Sequence, residues 1–105
     1  MNETAVIEYI VNWITSYVKN TNGKIKSLVV GVSGGIDSAL VSTLCAMTGL
    51  KTIVLTLPIK KSDMTLANKH CHFLTKKFKN VSHHDIDLTT VYNKFEESCM
   101  QAKFL

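Results

Sequence analysis

With 105 residues, 46% apolar and 19% charged, the chain is sized for one small folded domain rather than a disordered segment, and no apolar run approaches the roughly 18 residues of a membrane span. Its net charge of +4 comes from twelve lysines and no arginine, scattered and not interleaved with aromatics. That pattern reads as a solvated surface rather than a nucleic-acid face, and it offers no guanidinium fork for phosphate.

In chain order, Val6, Ile7, Ile10, Val11, Ile14, Tyr17 and Val18 recur at helical spacing and predict an amphipathic helix over 4–20. Asn20-Thr21-Asn22-Gly23 ends it with turn chemistry. The β-branched run from Ser27 to Val32 predicts a buried strand, followed by a glycine-rich turn. A second helix runs to about Thr48, expected to bury Leu40, Val41, Leu44 and Cys45, with Gly49 as its stop. Thr52 to Leu57 is the second strand, closed by Pro58. Ser62 or Asp63 caps a third helix through about Lys79, and Val81 to Ile86 is the third strand. Asp87 or Thr89 then caps a last helix with Val91, Phe95 and Cys99 on one face.

Strands alternating with helices of this length predict an α/β domain with a parallel sheet and right-handed crossovers, strand order 3-2-1. In a doubly wound sheet a fourth strand would pair beside strand 1 and open the ligand crevice there. This chain supplies none, so the sheet is expected to be incomplete at the strand-1 edge and the chain to be the first part of a larger unit. Cys45, Cys71 and Cys99 are odd in number and widely spaced, which fits free thiols in a reducing, cytoplasmic setting. The N-terminus has no basic segment followed by an apolar stretch, so no secretory signal is expected.

The turn "GVSGGIDSAL", residues 31–40, carries the chemistry. A strand, a glycine turn and a helix N-terminus form an anion site, because the first helical amides lack partners and the dipole adds positive charge. Gly34 and Gly35 allow close backbone approach, and Ser33 and Ser38 add hydroxyl donors. Asp37 beside a phosphate suits a Mg²⁺ ligand, or it complements the helix dipole. Three motifs compete here. The Walker loop fails for want of a lysine, and the dinucleotide fingerprint fails at Ser33. Gly31-Val32-Ser33-Gly34-Gly35 does satisfy the nucleophile elbow G-x-S-x-G. An elbow serine needs a histidine base, and nothing suggests a path from His70, His72, His83 or His84 to Ser33.

Ser33-Gly34-Gly35-Ile36-Asp37-Ser38 resembles the SGGxDS pyrophosphate-binding loop of the N-type ATP pyrophosphatase superfamily, which has an adenine nucleotide alpha hydrolase-like, three-layer fold. Within it the chain is most similar to the ammonia-dependent NAD synthetases, through the leading helix with Trp13, the context "VVGVSGGIDSALVSTL" and the strand ending Leu57-Pro58. A GMP synthetase-like enzyme, a tRNA-modifying enzyme and a non-catalytic nucleotide-binding module are the alternatives. The resemblance implies that residues 1–105 form one N-terminal ATP-pyrophosphatase domain. It implies that Gly31, Val32, Ser33, Gly34, Gly35, Ile36, Asp37, Ser38 and Leu57 bind ATP, that Asp37 holds Mg²⁺, and that no side chain acts as nucleophile. It implies amidation of deamido-NAD by ammonia through an adenylate, and a homodimeric parent. The second metal carboxylate and the dinucleotide site fall beyond the equivalent of residue 105.

Outside the turn, neighbouring histidines on one helix or strand diverge, so His70, Cys71, His72, His83 and His84 read as packed or surface residues rather than a metal site. Asp85 and Asp87 read as helix caps on the sheet rim, Lys60 and Lys61 as a solvated loop, and Met64 and Trp13 as core or interface.

Overall fold

A computed structural model of the chain describes residues 2–58 and 63–101, the side chains of Met100 and Gln101 excepted. Lys60, Lys61 and Ser62 lie outside the described residues. The elements follow the expected order: α1 Glu3–Lys19, β1 Leu28–Gly31, α2 Ile36–Met47, β2 Thr52–Thr56, α3 Thr65–Lys77, β3 Val81–Asp85 and α4 Thr89–Gln101. The strands form one parallel sheet in the order β1-β2-β3, with Val30 opposite Val54 and Val54 opposite His83. Among the described residues β1 is an edge strand, as expected.

Local chemistry sets most of the boundaries. Asn2 Oδ1 accepts the Thr4 amide at 2.9 Å and starts α1, whose end is turned by Asn22 and Gly23, both at positive φ. At the end of α2, Thr48 Oγ1 donates to the Cys45 carbonyl, and the Asn80 side chain donates to the carbonyls of Ala46 and Leu50 at 3.0 and 2.8 Å. One amide thus satisfies acceptors that the helix leaves open and joins the α2 end to the β3 entry. α3 stops two residues before the expected Lys79, because Phe78 turns extended and packs against the core.

Both crossovers have the same hand, so α2 and α3 lie side by side on one sheet face. Between them and the strands sits the core: Val32, Ala46, Val54, Ala67, Cys71, Leu74 and Val81. The spacing Ala67, Cys71, Leu74 is one helical stripe, and burying Leu74 alone is worth about 1.5–3 kcal/mol.

One expectation about burial is corrected. On α2, Leu44 and Cys45 are buried, but Leu40 and Val41 stay 55% and 49% exposed. The residues pressed inward are the small ones, Ser42, Cys45 and Ala46, because a helix inside a tight crossover approaches closely only through small side chains. On α4, Cys99 is buried while Val91 and Phe95 remain exposed. α1 packs on α2 and buries no residue completely. Trp13 is 58% exposed and stacks on Tyr17 with ring centroids 5.4 Å apart, whereas Met64 packs against the core.

Candidate functional site

The turn between β1 and α2 closes on itself through its two serines. Ser38 Oγ accepts the Ser33 amide at 3.1 Å and donates to the Gly35 carbonyl at 3.2 Å. A hydroxyl has one proton, so the 3.2 Å contact between the two hydroxyls is a donation from Ser33 to Ser38. Ser33 Oγ in turn accepts the Gly35 amide at 3.4 Å. Gly34 sits at φ +94°, a left-handed conformation that an L side chain rarely adopts.

The first intrahelical bond of α2 runs from the Ala39 amide to the Gly35 carbonyl at 3.2 Å. The amides of Ile36, Asp37 and Ser38 precede it and have no acceptor within the helix. They provide three aligned donors at the positive end of the dipole, which is a receptor for an anion. Asp37 is exposed in that first turn.

Beside the turn lies a cavity of about 410 Å³ lined by Gly31, Val32, Ser33, Leu55, Leu57, Asp63 and Met64. Its size falls in the usual range for a small-molecule site, roughly 300–1,000 Å³. Among the sequence-based candidates it gathers Gly31, Val32, Ser33 and Leu57 into one wall, while Gly34 to Ser38 form the adjoining turn. Asp63 and Met64 complete the lining; the sequence marks them only as a cap and a core residue. Their position just after a β-strand C-terminus is the signal that finds them, because ligands gather at that rim in parallel sheets. Asp63 Oδ1 accepts the Thr65 amide at 3.0 Å, and hydrogen bonds from the Thr65 side chain and backbone hold its carboxyl below the ordinary value.

Several of the other candidates have partners of their own. His70 Nε2 lies 3.0 Å from Ser42 Oγ and 3.4 Å from Thr43 Oγ1, and His83 Nε2 lies 2.9 Å from Thr56 Oγ1. Among the described residues no imidazole bonds to Ser33, whose hydroxyl bonds within the turn. Asp87 caps α4 through the Thr89 amide at 2.8 Å, as expected; hydrogen bonds from the Thr89 side chain and backbone lower its pKa. Asp85 departs from the cap expectation and accepts from the buried Thr56 hydroxyl at 3.0 Å, because the register sets the two side by side. Cys45, Cys71 and Cys99 are buried free thiols, and burial raises the pKa of Cys45 and Cys71, leaving them unreactive. Among the described residues no three His, Cys, Asp or Glu side chains converge as a metal site.

Comparison with known proteins gives a consistent result. The family model for NAD synthase matches residues 6–105. The NH(3)-dependent NAD(+) synthetase of Methanococcus aeolicus is 29% identical over 96 residues, covering 90% of this chain and 37% of that protein. Among solved structures, the NH3-dependent NAD synthetase of Campylobacter jejuni, in complex with nitrate, superposes with a TM-score of 0.77. It is 30% identical, with 93% of this chain and 42% of that one covered. The NMN synthetase of Francisella tularensis superposes with a TM-score of 0.81 at 28% identity, covering 96% and 41%. The chain thus spans about two fifths of the length of these proteins.

Proposed function

Because the chain belongs to the NAD synthase family, whose model covers residues 6–105, we propose that it is the ATP-holding part of an ammonia-dependent NAD synthetase. Membership replaces the GMP synthetase-like and tRNA-modifying readings of the turn. The proposed reaction activates the carboxylate of deamido-NAD with ATP, releases pyrophosphate, and lets ammonia displace AMP to form the amide. A homodimeric parent and a cytoplasmic location go with this reading.

The observation that carries it is the serine-closed turn below three unpaired helix amides, opening beside the Gly31–Met64 cavity. On this reading the phosphates lie over the amides of Ile36, Asp37 and Ser38, and Gly34 and Gly35 let them approach the backbone. Ser33 and Ser38 stiffen the turn, so its dipoles need not reorganise when charge moves onto the departing pyrophosphate. The adenine end occupies the apolar wall of Leu55, Leu57 and Met64. The chain's part is to bind, orient and stabilise charge, and no side chain forms a covalent bond.

Asp37 is an exposed carboxylate in the first turn of α2, and among the described residues it belongs to no three-ligand cluster. That fits an ion carried in on nucleotide phosphates, which needs one or two carboxylates from the protein, and it does not fit a resident metal. When bound, the ion neutralises phosphate charge, and Asp37 would hold it against the turn. The test is to assay the chain with deamido-NAD, ATP and ammonia while measuring MgATP binding by calorimetry. NAD formation supports the whole proposal. Binding without product limits this chain to the nucleotide step, and absence of binding overturns the reading.

A further inference from the structure

Helix α3 meets the phosphate turn at one point and the helix that follows it at another. At Gly34, a Cβ would lie 3.4 Å from Leu66 Cβ and 3.5 Å from the Ala67 amide nitrogen, so the turn rests directly on the first turn of α3. One turn further along, His70 reaches across to α2. Ser42 Oγ, fully buried, is 2.7 Å from the Ser38 carbonyl, and Thr43 Oγ1 is 2.7 Å from the Ala39 carbonyl. Each hydroxyl proton is committed to a carbonyl, so both oxygens present lone pairs to the imidazole. His70 Nε2 must then carry the hydrogen and donate it, chiefly to Ser42 at 3.0 Å. The ring is steadied by Phe73, with centroids 6.2 Å apart.

A continuous path results: His70 to Ser42, Ser42 to the Ser38 carbonyl, and the Ser38 hydroxyl into the ring with Ser33 and Gly35. A serine bonded back onto the carbonyl four residues earlier shapes the helix turn it spans, and here that turn carries the anion-binding amides. We propose that His70 is a positioning residue for the phosphate turn, fixing the first turn of α2 from α3 without touching the nucleotide. Its nucleotide readout rests on the ATP reading given above; its conformational readout does not.

The test compares His70→Ala, His70→Gln and Leu74→Val in the full chain. Leu74 is buried on the same helix and plays no part in the path, and glutamine retains an amide donor. Two quantities are measured: MgATP affinity by calorimetry, and amide hydrogen exchange at Ser33 and Ala39 without nucleotide. His70→Ala is expected to weaken MgATP roughly 3- to 10-fold and to speed exchange selectively at those two amides. His70→Gln is expected to recover most of both effects. Leu74→Val should lower the melting temperature and raise exchange broadly while leaving affinity unchanged. If His70→Ala lowers the melting temperature but leaves affinity and local exchange as in wild type, the proposal is overturned. The same holds if His70→Gln behaves as His70→Ala. Should wild type fail to bind MgATP, the functional reading falls and the exchange pattern alone decides the role of His70.

Discussion

The inner helices α2 and α3 and the outer helix α1 all carry apolar stripes, yet they use them differently. α3 buries Ala67, Cys71 and Leu74 completely, whereas α1 buries nothing completely and leaves Tyr9, Trp13 and Tyr17 exposed along one side. Each inner helix is tied at both ends to adjacent parallel strands, so the crossover presses it against the sheet. α1 lies outside these two crossovers and rests on α2. Connection to the sheet, more than apolar content, determines which stripe becomes core. The same inner layer carries the turn from Gly31 to Ser38, so the layer that holds the buried core also positions the proposed ATP site.

The two kinds of helix differ most at two large side chains, Leu74 and Trp13. Leu74→Ala should cost about 2–5 kcal/mol in urea unfolding, since it opens a cavity where the structure is closed on all sides. Trp13→Ala should cost less than about 1 kcal/mol, because much of that ring already meets solvent. A Trp13 effect as large as that of Leu74 would show that the outer face is covered in solution.

A smaller contrast lies within the turn. Gly34→Ala forces a side chain into a left-handed conformation against Leu66 and should cost about 1–3 kcal/mol, together with a loss of nucleotide affinity. Gly31→Ala has open space at its Cβ, and its stability should stay within about 0.5 kcal/mol of wild type by the same unfolding measurement.

Titration sharpens the contrast further. Burial raises the pKa of Cys45 and Cys71, so in the unfolded chain these thiols lose their protons first. Their contribution to stability is complete below the ordinary thiol pKa and declines as pH rises from there towards the folded value. Urea midpoints measured from pH 7 to 10 should therefore fall, and Cys71→Ala should flatten the decline. The smallest effects belong to the exposed caps Asp63 and Asp87, whose pKa values are lowered by hydrogen bonds from Thr65 and Thr89. Their contributions hold above the ordinary carboxylate value and vanish as pH falls through the lowered one. Asp87→Asn should leave the midpoint at pH 7 nearly unchanged and remove part of its acid dependence.

Much of the inner layer is legible in the sequence. The β-branched run before Gly31, the stop at Gly49 and the alternation of strands and helices lead to the observed elements and strand order. Spacing along one chain does not reveal which side chains meet across a crossover. His70 reaching Ser42, Asn80 reaching Ala46, and Asp63 lining one cavity with Ser33 all join residues about 30 positions apart. Nor does periodicity distinguish a stripe that meets a sheet from one that meets water, which is why Leu40 and Val41 look like core and are not.

On the proposed function, the turn from Gly31 to Ser38 holds the phosphates of ATP with a cation kept in place by Asp37. Calorimetric titration of MgATP into the wild-type chain and into Asp37→Ala tests it most directly. Wild type should bind, and Asp37→Ala should bind roughly tenfold or more weakly at an unchanged melting temperature. Equal affinities for the two proteins would contradict the account and leave Asp37 as a first-turn partner of the helix dipole.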